Sequence, residues 1–121
     1  MSLSFEGYAA LFDRVDRAGD VFRAGAFAGA QSVPLLVQHR GEAVGAVAVR
    51  EDARGLRVTG EVERPAAGLV RSGALTGLSV GYRPLVVRQG AYRELARVAL
   101  VEVSLVAQPM QPLARLVSVA G

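Results

Sequence analysis

Apolar and polar residues alternate with a period of two over several short stretches of the chain, the pattern of strands with one buried face. The clearest case is Leu56-Arg57-Val58-Thr59-Gly60-Glu61-Val62. Leu56, Val58 and Val62 share one parity there, and Arg57, Thr59 and Glu61 the other, so one face is wet. With the apolar run Val44–Val49 before it and the turn chemistry of Asp52-Ala53-Arg54-Gly55 between, the pattern predicts a hairpin over 44–62. Residues 3–12 predict a first strand, followed by a polar turn from Asp13 to Asp20. Pro34 opens a second strand, residues 76–89 predict another that breaks at Gln89-Gly90, and a long apolar stretch runs from Arg97 to Val106. Helical signals are sparse. Residues 23–31 predict a short helix weakened by two glycines, and Pro65–Ala74, with a proline suited to a first turn, predict another. The sum is a mainly β fold: a single-domain, closed or nearly closed β-barrel over residues 1–121 with two short helices.

Composition narrows what such a fold can do. A chain of 121 residues and 12.7 kDa fits one domain with one core, and 51% hydrophobic with 21% charged residues is a globular balance. Fourteen basic and eleven acidic residues give a net charge of +3, scattered along the chain without a run, which argues against a nucleic-acid surface. Every basic residue is arginine, and with abundant Ala, Gly and Val this points to a GC-rich coding sequence rather than to arginine chemistry. The absence of cysteine excludes disulfides, thiolate metal sites and a cysteine nucleophile. A lone histidine argues against a zinc site, so neither metal nor cofactor is expected. The N-terminus lacks the basic start and long apolar stretch of a signal peptide, and no apolar run approaches the ~18 residues of a membrane span, so the expected location is cytosolic.

The candidate chemistry rests on His39, the only histidine, and Ser79, the centre of Thr76-Gly77-Leu78-Ser79-Val80-Gly81-Tyr82. A serine hydroxyl is a poor nucleophile until a base takes its proton, and His39 is the only imidazole available. Strand alternation sets Gly77, Ser79 and Gly81 on one side and Leu78, Val80 and Tyr82 on the other. The two glycines then either mark a bulge or clear a patch for something that approaches closely, such as a peptide. Gly77-x-Ser79-x-Gly81 also matches the nucleophile elbow of α/β-hydrolases. Those enzymes place the histidine after the serine on a longer chain, whereas here His39 precedes Ser79 by 40 residues. His39 follows Leu35 and Val37 on one strand parity, at the junction with Arg40-Gly41-Glu42.

A third group should orient the imidazole, and Glu102 leads because the stretch Val98–Val106 is otherwise nearly all apolar. There Ala99, Val101, Val103 and Leu105 read as the core face, leaving Glu102 and Ser104 opposite, solvated or paired in a cleft. Ser104 is the alternative nucleophile or a helper that hydrogen-bonds to the site. Backbone amides or Arg83 could supply oxyanion donors.

Taken in order, Phe5-x-Gly7-Tyr8-Ala9, Phe12, Gly19-Asp20, Gly25-Ala26-Phe27, Pro34-Leu35-Leu36 with His39, Val44-Gly45, Arg50-Glu51-Asp52, Gly55-Leu56, Gly77–Tyr82 and Glu102-Val103-Ser104-Leu105-Val106 with Pro109 resemble a known family. It is the prohead (capsid maturation) protease family of HK97-type tailed phages and gene transfer agents, related to the herpesvirus assembly protease. The resemblance spans nearly the whole chain. It implies a serine endopeptidase on a herpesvirus-protease-like barrel that cuts the major capsid protein precursor or a scaffold protein inside an assembling prohead in the bacterial cytoplasm. It also implies Ser79 as nucleophile, His39 as general base and Glu102 in the third position, where the herpesvirus relatives carry a histidine. A homo-oligomer is expected by that analogy alone, and no nucleic-acid or membrane partner is implied. Gln108-Pro109-Met110-Gln111-Pro112 stands where the family usually has a Pro-Ala-Asn-Pro-like turn. The competing expectation is a catalytically inactive capsid-assembly or scaffold-binding β-barrel, which needs no poised histidine and serine.

Overall fold

The computed structural model describes residues 2–121, so Met1 of the expected 1–121 unit lies outside the described residues. Eight strands and one helix follow in the order β1 (Ser2–Leu11), β2 (Asp20–Phe22), β3 (Ser32–Val37), β4 (Arg40–Glu51), β5 (Gly55–Glu63), α1 (Ala66–Arg71), β6 (Gly77–Gln89), β7 (Arg93–Val106) and β8 (Leu116–Ala120). The period-two pattern decides which side chains go inside. Leu56, Val58 and Val62 of β5 are buried, as are Leu3 and Phe5 of β1 and Leu78 of β6. Each such side chain contributes about 1.5–3 kcal/mol by leaving water. Together with Leu35, Phe22, Leu95, Val103 and Leu105 they form one continuous core.

β7 organises the sheet. β6 runs antiparallel along its full length. The opposite edge is shared by two parallel partners, β2 at Arg93–Leu95 and β3 at Val103–Leu105. From β3 the path continues through β4, β5 and β1 to β8, with antiparallel neighbours throughout. Its ends approach where Gly77 pairs with Arg115 in an isolated bridge. The ladder does not close there, so the eight strands form one sheet and the expected barrel is not confirmed.

Two further expectations change. Residues 23–31 form consecutive turns instead of a helix, because Gly25 and Gly29 take φ of +90° and +86°. The Gly25 and Phe27 N–H groups donate to the Glu51 carboxylate at 2.9 and 2.7 Å, which fixes this loop to the end of β4. Only the second expected helix forms, as α1, with Ala66, Ala67 and Val70 buried. In β7, the register steps from Gly81↔Glu102 to Tyr82↔Leu100, so Val101 is an extra residue in a bulge. The bulge reverses the alternation: Val101 is 50% exposed, Val103 and Leu105 stay in the core, and Val98 continues it on the other parity until a second extra residue, Ala96, returns Leu95 to the first.

Candidate active site

His39 sits in the two-residue turn of the β3–β4 hairpin, which is flanked by the Val37↔Arg40 pair. Gln38 and His39 have φ of +53° and +59°, as a type I′ hairpin turn requires of both central residues. Left-handed backbone costs a non-glycine residue about 1–2 kcal/mol, so other contacts must hold it. Gln38 N–H donates to Leu105 O at 2.9 Å, His39 N–H donates to Ser104 Oγ at 3.1 Å, and Gln38 Oε1 accepts from Ala107 N–H at 2.9 Å. His39 therefore does not continue the strand parity of Leu35 and Val37. The turn aims it at β7 instead, where its Nδ1 lies 2.6 Å from Glu102 Oε1.

Glu102 is nearly buried and paired, which settles its choice between a solvated and a paired state. Oε1 meets the imidazole and Oε2 accepts the Ser104 hydroxyl at 2.8 Å. Directly opposite, across the strand pair, is Gly81, and a methyl group there would collide with the carboxylate. At Gly77 the same test places a Cβ 2.7 Å from Pro109. The two glycines beside Ser79 thus make room for this chain's own Glu102 and Pro109 and do not leave a bare patch for a peptide. The sequence shows that something approaches closely without showing what.

Ser79 is the direct cross-strand neighbour of Ser104, on the face that carries Glu102 and Gly81. Its hydroxyl has no hydrogen-bond partner among the described residues. Every fully enclosed side-chain polar atom is bonded, so this hydroxyl opens to solvent. The opening is a groove of about 700 Å³ lined by Gln38, His39, Arg40, Ser79, Val106, Ala107, Gln108 and Met110. His39 and Ser79 share that groove without a hydrogen bond between them, while His39 and Glu102 are in direct contact. The His39 side chain is 44% exposed. Ser104 is fully buried with its hydroxyl committed at both ends, so no carbonyl can reach it. Arg83 lies on β6 outside the groove lining. A second concavity, over β1, β5 and β8, has neither a histidine nor a buried carboxylate in its lining.

Two features of the site are not visible in the sequence. The groove wall formed by residues 107–110 is pinned by Pro109, fully buried under Gly77, and by Gln111, whose amide bonds both Leu11 N–H and Leu11 O at the end of β1. The other is the bond from the His39 N–H to the Ser104 hydroxyl, a partner that the expected helper role of Ser104 did not specify.

A family model described as the caudovirus prohead serine protease matches residues 1–120. The chain belongs to that family. The family is that of the caudovirus prohead serine proteases. Among solved structures, the crystal structure of KSHV protease in complex with a hexapeptide phosphonate inhibitor superimposes with a TM-score of 0.58 at 14% identity. The alignment covers 88% of this chain and 60% of that one. The likeness is one of fold, and this chain spans about three-fifths of the herpesvirus enzyme's length. No curated protein matches the chain.

Proposed function

We propose that this protein is a serine endopeptidase that cleaves the major capsid protein precursor, or a separate scaffold protein, through an acyl-enzyme formed on Ser79. The observation that carries the reading is the 2.6 Å contact between His39 Nδ1 and Glu102 Oε1, at the edge of the groove that Ser79 also lines. With Nδ1 committed to the carboxylate, Nε2 is the nitrogen left to take the Ser79 proton. Glu102 orients the ring and stabilises the imidazolium that forms.

The steps follow from those roles. His39 removes the proton as Ser79 Oγ attacks the scissile carbonyl, then returns it to the leaving amine, leaving an ester on Ser79. Water, deprotonated by the same imidazole, releases the acyl group and restores the hydroxyl. Catalytic hydrogen bonds are commonly long before substrate closes the site, so the unbonded Ser79 and His39 fit a resting enzyme. A purely scaffold-binding protein has no use for a buried carboxylate aimed at a groove-lining imidazole.

The test is to mix purified protein with its own capsid precursor. The native chain should give discrete fragments, and Ser79→Ala and His39→Ala should each abolish them. Undiminished cleavage by Ser79→Ala ends the proposal, because Ser104 is too enclosed to take over.

A further inference from the structure

Ser104 occupies a position that a filler would not explain. It is fully buried on β7, directly across from Ser79, and its single hydroxyl joins the β3–β4 turn to the Glu102 carboxylate of β7. The backbone N–H of His39 can only donate, so Ser104 Oγ accepts it, at 3.1 Å. The hydroxyl proton is then free to go to Glu102 Oε2, at 2.8 Å. One side chain therefore ties the left-handed residue that carries the imidazole to the carboxylate that the imidazole contacts.

We propose that Ser104 is a positioning residue that locks the β3–β4 turn and the Glu102 carboxylate into one geometry, so that His39 presents a fixed ring to the groove. The proposal rests on the protease reading for its consequence in catalysis, but not for its structural content. Without the hydroxyl, the His39 N–H loses its acceptor beside a backbone conformation that is already costly, and Glu102 keeps only the imidazole. Gly81 opposite leaves no side chain to restrain the carboxylate from the other strand. The ring and its acid would then both be free to move. Ser104 itself touches no substrate, since it has no exposed surface.

The chain's single histidine makes the test unambiguous, because ¹⁵N-histidine labelling reports one imidazole. In the native protein the Nδ1 proton bonded to Glu102 should exchange slowly with water. In Ser104→Ala that exchange should be faster by about tenfold, the size of one lost hydrogen bond. Ser104→Cys fills the same space with a poor hydrogen-bonding group and should behave likewise, which separates the bond from the cavity. Ser104→Thr keeps the hydroxyl and should retain slow exchange. In cleavage assays Ser104→Ala and Ser104→Cys should lower kcat by about 10- to 100-fold with KM unchanged, as losses of groups that orient a functional histidine do. Native exchange and native kcat in both variants would overturn the proposal. A native chain that cleaves nothing would count against the protease reading instead, and the exchange measurement would then decide the role of Ser104 by itself.

Discussion

β7 holds a buried carboxylate cluster at each end, and the two are built to opposite purposes. At its start, Asp20 of β2 receives both Nε and an Nη of Arg93, at 2.7 and 2.8 Å, and the Tyr82 hydroxyl at 2.9 Å. Both carboxylate oxygens are bonded, by groups that do not line the groove. The Arg93 fork holds the Asp20 carboxyl below the usual carboxylate range, while burial, and then Asp20, pushes the Tyr82 phenol up. At the far end of β7, both Glu102 oxygens are also bonded, but one of its partners is an imidazole with a second nitrogen and a face on the groove. The difference teaches that a buried carboxylate is structural or functional according to what its partner can still do.

Substitutions should separate the two ends. The largest effect is expected for Glu102→Gln, which keeps the shape but not the charge: cleavage should fall by about 10³- to 10⁴-fold, with the thermal midpoint little changed. Equal losses of activity and stability would make the far end as structural as the near one. Gly81→Ala should come next, because the new methyl displaces Glu102: kcat should fall by about 10- to 100-fold and stability by about 1–3 kcal/mol. Gly77→Ala, which presses on Pro109 instead, should cost similar stability with a smaller loss of kcat. Denaturant melts beside cleavage rates settle that pair.

At the near end, Asp20→Asn should lower stability by about 1–3 kcal/mol, discounted by the water that reaches the half-exposed Arg93, and leave kcat unchanged at temperatures where the protein is folded. A fall in kcat would merge the clusters into one functional unit. The smallest effect is in pH. Asp20, with a lowered folded-state pKa, stabilises the protein fully above its unfolded value near 3.8, and that contribution is lost as pH falls through the folded value. Asp16 is raised by desolvation, so its contribution has the opposite sign: it is present below 3.8 and lost as pH rises through the higher folded value. The stability gap between the native chain and Asp20→Asn should therefore narrow below about pH 4, as thermal melts across acid pH would show. A gap independent of pH would mean that the Asp20 charge is not what holds β2.

The same contrast explains what was legible in the sequence. Strands with one wet face announce themselves, so β5 could be read residue by residue, while β1 could be read only as a strand. His39, Ser79 and Glu102 stood out because each is chemically isolated: a sole imidazole, a serine between glycines, a carboxylate in an apolar run. Backbone events that break alternation left no such mark. The extra residue at Val101 moved the core position to Val98, off the parity of Val103 and Leu105, and a Gln-His turn took left-handed angles for which the usual signal is Asn-Gly. The three-residue β2 and the late β8 are defined by their partners rather than by their own pattern, and Gly25 and Gly29 turned an expected helix into a loop by adopting positive φ. The family resemblance reached the overall likeness that the comparisons show, while sheet closure, a matter of hydrogen bonding between distant ends, did not follow.

The central claim is that Ser79 is the hydroxyl His39 activates. Treating the folded protein with a serine-directed phosphonate and locating the adduct by mass spectrometry tests it most directly. The account predicts one adduct, on Ser79, forming in the native chain and failing to form in His39→Ala. An adduct on another serine, or labelling of Ser79 that proceeds equally without the imidazole, would contradict it.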